Sequence, residues 1–208
     1  MRKTRPSCEQ TGILHALGLA RRGKCGKSGG LKRQRSRRVF FEHLEQRTLL
    51  SLCVWDGGGN NNHWSNPANW WAGLVPDAND DLVFRGTALT QTENDLPSGT
   101  AFRSLSFLSN DFSVAGNSLA VTNRIFVGPG ASETTIAAEV GLNGTVHATL
   151  VGGSLLLSGG VSGSGSLSED GIGILILGAG ATYTGTTMIQ HGATLQLGAS
   201  DEIGRAHV

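Results

Sequence analysis

Apolar side chains alternate with polar or small ones along most of the second half of the chain. From Phe102 onward, short runs of four to seven residues each end at a Gly, Asn or Ser; they read RSLSF, FSVAG, SLAV, RIFV, TTIAAEV and VHATLV. Alternation with a period of two is typical of β-strands that bury one face. Asp81–Phe84 shows the same pattern earlier in the chain. The sequence therefore predicts an all-β fold.

An internal repeat narrows this prediction to a solenoid. Gly153–Leu157, Gly173–Leu177 and Ala193–Leu197 align without a gap, and equivalent leucines are 20 residues apart. Because alternate residues of a strand share a face, coils of this length would stack the leucines in two columns. A single coil cannot bury its own apolar face, so its neighbours must supply the core. We expect a right-handed parallel β-helix with this structural ladder: Leu155, Leu157, Leu175, Leu177, Leu195 and Leu197.

The high glycine content indicates that the strands are joined by tight turns. The chain has 31 Gly among 208 residues, about twice the ordinary share of about 7%. Glycine adopts positive φ without a steric penalty, which a tight coil requires at its turns. The repeat is clearest from Val140 to Gly204. We assign residues 101–208 to the β-helix and expect the chain to be a truncated fragment, because a further coil begins at Asp201 and then stops.

Charge divides the chain into two parts. Residues 1–50 carry 13 of the 17 Lys and Arg and only 3 of the 16 acids. Such a basic segment with few core-forming residues is typical of a disordered leader. We assign residues 1–51 to this leader and expect it to address the export machinery. The alternative is nonspecific binding of nucleic acid through Arg33–Arg38, but no recognition fold accompanies these residues, so no specific nucleic-acid partner is expected.

The cysteines and the apolar runs argue against a disulfide-rich protein and against a membrane-spanning helix. The three cysteines are Cys8, Cys25 and Cys53, and this odd set without a CxxC pair gives no disulfide framework. No apolar run reaches the roughly 20 residues of a transmembrane helix. The sequence therefore predicts no membrane-spanning helix.

The segment 52–100 contains every tryptophan of the chain: Trp55, Trp64, Trp70 and Trp71. We interpret it as a Trp- and Asn-rich cap that closes the N-terminal end of the β-helix, where an uncovered strand edge would invite aggregation. The alternative is that exposed indole rings stack on sugars and form a glycan-contact surface.

The last coils resemble the autotransporter-associated β-strand repeat, whose pattern is G-x-G-x-L-x-L-x-G-x-N-x-Y-x-G-x-T-x-I-x-x-G-x-L-x-L-G. The matching positions are Gly171, Gly173, Leu175, Leu177, Tyr183, Gly185, Thr187, Ile189, Gly192, Leu195, Leu197 and Gly198. Ala181 replaces the usual Asn, and Glu169 or Asp170 stands where a Lys is usual. The repeat itself is assigned to residues 153–198.

Two further segments are similar to parts of large exported proteins. The opening W-D-G-G-G-x-x-x-x-W-S-x-x-x-N-W of passenger proteins is matched from Trp55 to Trp70. The segment from Phe41 to Ser51 resembles the LEPR-XLL motif of exported planctomycete-type proteins, with Gln46 in place of its Pro. These resemblances imply a secreted or cell-surface, adhesin-like passenger with no catalytic residues.

Motifs for other chemistry are incomplete. Gly26-Lys27-Ser28 lacks the first glycine of a P-loop, because position 21 is Arg. Asp77–Asp81 begins like a calcium loop, but the glycine and glutamate that an EF-hand needs are absent. The six histidines are scattered (His15, His43, His63, His147, His191 and His207). Glu169-Asp170 is an adjacent acid pair, whose side chains would face opposite sides of a strand.

We therefore expect a protein that is not an enzyme and has no cofactor or metal. Its expected role is that of an autotransporter passenger-like scaffold, secreted or exposed at the cell surface, with an extracellular glycan or a cell-surface molecule as partner. The alternative is a carbohydrate-binding module of an exported polysaccharide-active protein.

Overall fold

The computed structural model describes residues 51–109, 111–178, 180–190 and 192–198. These residues form fifteen strands and two short 3₁₀ helices, Pro67–Asn69 and Trp71–Gly73. The strands are β1 (Leu52–Trp55), β2 (Asp81–Phe84), β3 (Gln91–Asn94), β4 (Thr100–Phe107), β5 (Phe112–Gly116), β6 (Leu119–Val127), β7 (Glu133–Ile136), β8 (Val140–Leu142), β9 (Thr145–Leu150), β10 (Ser154–Leu157), β11 (Val161–Gly163), β12 (Ser166–Gly171), β13 (Ile174–Leu177), β14 (Thr187–Ile189) and β15 (Thr194–Leu197).

The strands stack as two parallel sheets around a common interior. One sheet has the order β1-β2-β4-β6-β9-β12-β14, and the other has the order β15-β13-β10-β7-β5-β3. All the strand pairs are parallel, and the chain alternates between the sheets as it advances. The fold is a β-solenoid of about five turns, which confirms the all-β parallel β-helix that the repeat predicts.

A third, shorter column of strands completes the coil. β8 pairs with β6 on one side and β11 on the other, and Val161 forms a parallel bridge with Ala181. The runs SLAV and RIFV, separate in the sequence pattern, form one continuous strand β6. Its pairing with β4 shifts register between Phe102 and Ser104. Each of these two strands therefore has one part in the main path of the first sheet and one part in the third, shorter column of strands.

Tight corners explain the glycine content. Gly163 has φ of +105°, and a Cβ there would lie 2.4 Å from the carbonyl oxygen of Leu142 on the coil below. Gly171 has φ of +122°, and its Cβ would lie 2.1 Å from the carbonyl oxygen of Leu150. A side chain is therefore excluded by both backbone conformation and the next coil.

The leucine repeat forms two interior columns at the C-terminal end. Leu155 is in register with Leu175, and Leu175 with Leu195. Leu157, Leu177 and Leu197 form the second column in the same way. Leu155, Leu157, Leu175 and Leu177 are buried, whereas Leu195 is half-buried and Leu197 is 40% exposed. Burial thus declines along the ladder toward its last rung.

The solenoid begins earlier than residue 101. β1 and β2 lie within the segment predicted as a cap, and both already belong to the first sheet. Their alternate residues enter the same interior columns as those of later coils. The basic leader, the LEPR-XLL-like segment and Gly26-Lys27-Ser28 lie outside the described residues.

Candidate functional site

The tryptophan-rich segment forms a buried aromatic cluster. Trp55 and Trp64 are fully buried and Trp70 is 2% exposed. The ring of Trp70 meets Trp55 edge-on at 5.1 Å and Trp64 at 6.0 Å, and Phe84 packs 5.5 Å from Trp64. Such edge-to-face pairs add to the large apolar area that aromatic rings bury. The cluster fills the N-terminal interior and leaves these three indoles without a face for a glycan.

The loop between β1 and β2 (residues 56–80), here called the capping loop, bridges the first strand of each sheet at one position, Trp55 of β1 and Glu93 of β3. The backbone of Trp64 donates to Glu93 of β3, and Glu93 donates to the carbonyl of Asn62. Trp70 forms an antiparallel bridge with Trp55 of β1. Because β1 and β3 are the first strands of their sheets, these bonds occupy edge groups that would otherwise be free to pair with another chain. This arrangement favours the capping interpretation of the segment.

Asn69 organises the capping loop from its centre. Its side-chain nitrogen donates to the carbonyls of Asn61 and His63, both at 2.9 Å, and its oxygen accepts from the backbone of Gly59 at 2.9 Å. The side chain is fully buried. A buried amide with its partners in place fixes the path of the loop. The resemblance includes Asn69, but the sequence pattern did not assign it a role.

Trp71 differs from the other three tryptophans. It is 60% exposed, and the nearby Leu74 and Val75 are also exposed, at 48% and 37%. Ala72 and Gly73, which follow Trp71, both have positive φ. Of the four tryptophans, Trp71 is the one with an accessible ring face.

The acidic turn from Asp77 to Asp81 uses its carboxylates internally. Asp80 is 4% exposed and accepts from the backbone N–H groups of Ser51 and Asp77 at 3.1 and 2.9 Å. Burial alone would raise the pKa of Asp80, but these hydrogen bonds outweigh it and lower that pKa. The carboxylate of Asp81 pairs with Arg103 and accepts from Ser104. The two carboxylates face different donors and do not converge on one ion.

Cys53 lies beside this turn on the interior side of β1. It is fully buried, and its Sγ lies 3.6 Å from Oδ2 of Asp80. Burial raises the pKa of the thiol, and the nearby negative charge of Asp80 raises it further. A thiol that stays protonated and buried has little nucleophilic character. Its role here is packing.

Ser65 and His63 of the capping loop meet Asp95, which directly follows β3, in an order unsuited to nucleophilic catalysis. The hydroxyl of Ser65 donates to Oδ2 of Asp95, and Nδ1 of His63 lies 3.3 Å from the same oxygen. A nucleophilic triad needs the imidazole between the hydroxyl and the carboxylate. Here the carboxylate lies between them, so His63 is not placed to take the serine proton.

The acid pair on β12 is divided between two faces. Glu169 points inward and is 1% exposed, whereas Asp170 is exposed. Two carboxylates that act together on a glycosidic bond must face one cleft. The pair is therefore not arranged for that chemistry. Burial raises the pKa of Glu169 to about 7, although a backbone N–H from Leu175 acts in the opposite direction.

A cleft of mixed polar and apolar lining lies on the outer face of the first sheet at its C-terminal end. It has a volume of about 260 Å³, and its lining combines hydroxyl, amide and imidazole groups with the apolar residues Leu167 and Met188. Within it, Gln190 donates to the hydroxyl of Ser168 at 3.0 Å, and Thr186 donates to Ser166. Of the six histidines of the chain, His147 lies in this cleft and His63 lies on the capping loop. The other four are outside the described residues.

The described part of the chain contains neither a group of metal ligands nor a membrane-spanning helix. There, no three His, Cys, Asp or Glu side chains are grouped so that they could hold a metal ion. Among the same residues, no helix has the length and apolarity to cross a membrane.

Comparison with known proteins gives no relative to which the site could be matched: no family model, no curated protein and no solved structure matches the chain. The fold and its filled interior define the class, which is a parallel β-solenoid repeat protein with an aromatic cluster at the N-terminal end.

Proposed function

We propose that this chain is a non-catalytic scaffold of an exported surface protein, built in the manner of an autotransporter passenger and adhesin-like in use. The observation that carries the proposal is the combination of a filled interior with a capping loop that bridges the first strand of each sheet. Coils that contact only their neighbours extend a surface without needing a ligand or cofactor for their core. A covered edge keeps such a protein from pairing with other chains.

The sequence supports the exported location. The Gly171–Gly198 segment resembles the autotransporter-associated repeat, and residues 41–51 resemble the LEPR-XLL motif of exported proteins. The leader is strongly basic, while the rest of the chain is acidic. We assign residues 1–51 the role of an export address.

Export is tested by comparing the full chain with a chain that lacks residues 1–51, each produced in the source organism. An antibody raised against residues 51–198 is applied to intact cells and to lysed cells. We expect the full chain to be detected on intact cells, and the shortened chain only after lysis with an unchanged circular dichroism spectrum. Surface detection of the shortened chain at the full level would refute the leader's role. Absence of the full chain from both surface and medium would refute the exported location.

A second candidate function, glycan binding, now rests on Trp71. Its exposed ring beside Leu74 could stack on a sugar, as aromatic side chains commonly do at binding surfaces. A glycan array probed with the wild type, Trp71→Ala and Leu108→Ala tests this function, because Leu108 is an exposed apolar control elsewhere. Binding lost only in Trp71→Ala supports it. An array without bound glycans, or equal binding by all three proteins, contradicts it.

A further inference from the structure

Glu169 occupies a position in the solenoid interior that is otherwise apolar. On β12, Leu167 and Glu169 are two residues apart and therefore point to the same, inner face. Glu169 is in register with Ala148 of β9 and Ile189 of β14. Below Ala148, the column continues with Ile125 of β6. A carboxyl group thus stands in a column of small and aliphatic side chains.

Only one of the two carboxyl oxygens of Glu169 has a hydrogen-bond partner in the described part of the chain. Its Oε1 accepts a hydrogen bond from the backbone N–H of Leu175 at 3.1 Å. Its Oε2 is buried and has no hydrogen-bond partner in the described part of the chain. A buried carboxylate that lacks partners is strongly disfavoured relative to its neutral form.

No compensating positive charge faces Glu169 from the strands packed against it, as far as these are described. The inward residues of β9, β13 and β14 are aliphatic apart from Thr187. The one other titratable group in this part of the interior is Tyr183, whose hydroxyl is bonded to Thr187. His147 and Asp170 lie on the outer face of their strands. The interior therefore accommodates the protonated carboxyl and opposes the ionised one.

We propose that the ionisation state of Glu169 controls whether the C-terminal coils of the solenoid, from β12 to β15, are closed or locally open. The protonated side chain fits the closed coils. Ionisation places an unpaired charge in the core, and opening of the last coils returns that charge to water.

The position of Glu169 near the end of the described solenoid makes local opening the natural response. Coils of a solenoid are stabilised by their neighbours, so an end can open while the remainder stays folded. The apolar side chains of the last two strands, β14 and β15, are also less buried: Ile189 is 37% exposed and Leu197 is 40% exposed. Their detachment gives up less apolar contact than opening of the middle coils would.

The direction of the pH response follows from the folded and unfolded pKa values. The ordinary pKa of a glutamate is 4.5, and the buried Glu169 has a pKa of about 7. Below pH 4.5 both states are protonated, and the closed state keeps its full stability. Between these values only the open state releases its proton, so closure weakens about tenfold per pH unit. Above pH 7 the loss is complete, at roughly 300-fold in the closing equilibrium.

The first test follows the Glu169 side-chain carboxyl carbon by nuclear magnetic resonance in the full labelled chain, with Glu169→Gln used to assign the signal. We expect a titration midpoint near 7. A midpoint below about 5 would overturn the proposal, and this measurement remains valid even if the variant does not fold.

The second test measures hydrogen exchange of the β13 and β15 amides between pH 5 and pH 8, corrected for the intrinsic pH dependence of exchange. We expect their protection to fall by roughly 70-fold over this range in the wild type and to stay constant in Glu169→Gln. Glu133→Gln, at an exposed carboxyl on β7, should retain the wild-type response, and β4 amides should not respond. A pH-independent wild type, or the same fall in Glu169→Gln, would overturn the proposal.

Discussion

The two ends of the solenoid use the same backbone geometry with different interiors. At the N-terminal end, Trp55, Phe84 and Phe107 follow one another in a single column, and the rings of Phe84 and Phe107 stack at 4.9 Å. At the C-terminal end, the second sheet contributes two leucine columns, and the first sheet contributes a column of small and aliphatic side chains that contains Glu169. The first end is covered by the capping loop, whereas burial declines toward the last rung at the second.

Regularity of sequence and completeness of burial are thus separate properties of this molecule. The leucine ladder repeats at a strict interval of 20 residues but includes the half-exposed last rung. In the aromatic end the interval is irregular: Cys53 pairs with Leu82 and Leu82 with Leu105, and the capping loop is inserted in the first of these steps. The strict repeat reveals the fold, but the irregular end contributes the larger buried side chains.

The largest effect is expected from Trp70→Ala. Trp70 contacts Trp55, Trp64 and Phe84, and its removal leaves a cavity in the aromatic cluster. We expect a loss of about 3–5 kcal/mol in the free energy of unfolding, measured by urea denaturation followed by far-ultraviolet circular dichroism. Trp71→Ala is the matched control and should change stability by no more than about 0.5 kcal/mol. Equal losses in both variants would contradict the distinction between buried and exposed tryptophans.

The leucine ladder gives the next prediction. Leu175 is fully buried between Leu155 and Leu195, so Leu175→Ala should lose about 2–5 kcal/mol. Leu197 is partly exposed, so Leu197→Ala should lose about 1 kcal/mol or less because less apolar area leaves the core. Thermal and urea unfolding of the two variants measure this difference. A larger loss in Leu197→Ala than in Leu175→Ala would show that Leu197 is more deeply buried than its 40% exposure indicates.

The leucine ladder can be predicted from the sequence because short-range sequence patterns determine it. Alternation identifies the inner face of each strand, and a fixed interval sets the register of Leu155, Leu175 and Leu195. Alternation also carried the signal for Glu169, which lies two residues after the inward Leu167. We used it only to separate Glu169 from Asp170, and the burial of Glu169 was missed.

The capping loop could not be derived in the same way. Asn69 bonds to Asn61 and His63, and Asp80 bonds to Ser51, 29 residues away. Such partners depend on how a long irregular segment closes, and this closure leaves no periodic trace in the sequence. For the same reason, the sequence did not distinguish the buried tryptophans from Trp71.

Asn69→Ala tests the capping loop with an intermediate expected effect. The substitution leaves the carbonyls of Asn61 and His63 and the N–H of Gly59 without their partner. We expect a loss of about 1–3 kcal/mol in the free energy of unfolding. Asn62→Ala is the control, because Asn62 bonds to Glu93 through its backbone. If Asn62→Ala were equally destabilising, the central role of Asn69 would have to be abandoned.

The smallest expected effect is an acid response of the N-terminal end, opposite in direction to the response of Glu169. Hydrogen bonds lower the pKa of Asp80, so its contribution to folding is present above the ordinary value of 3.8 and is lost as the pH falls through the lowered value. Glu169, whose pKa is raised, destabilises the other end as the pH increases. Hydrogen exchange of β1 and β2 amides at acidic pH should therefore increase in the wild type, and Asp80→Asn should remove this dependence. An acid response unchanged in Asp80→Asn would assign it to another group.

We infer that the aromatic end with its capping loop stabilises a solenoid whose last described coils are the least stable. Residue-resolved hydrogen exchange of the full chain at pH 5, where Glu169 is protonated, tests it most directly. We expect the highest protection for the amides of β2 and β4, with a progressive decline through β10 and β13 to β15. Uniform protection along the solenoid, or the highest protection in β15, would contradict it.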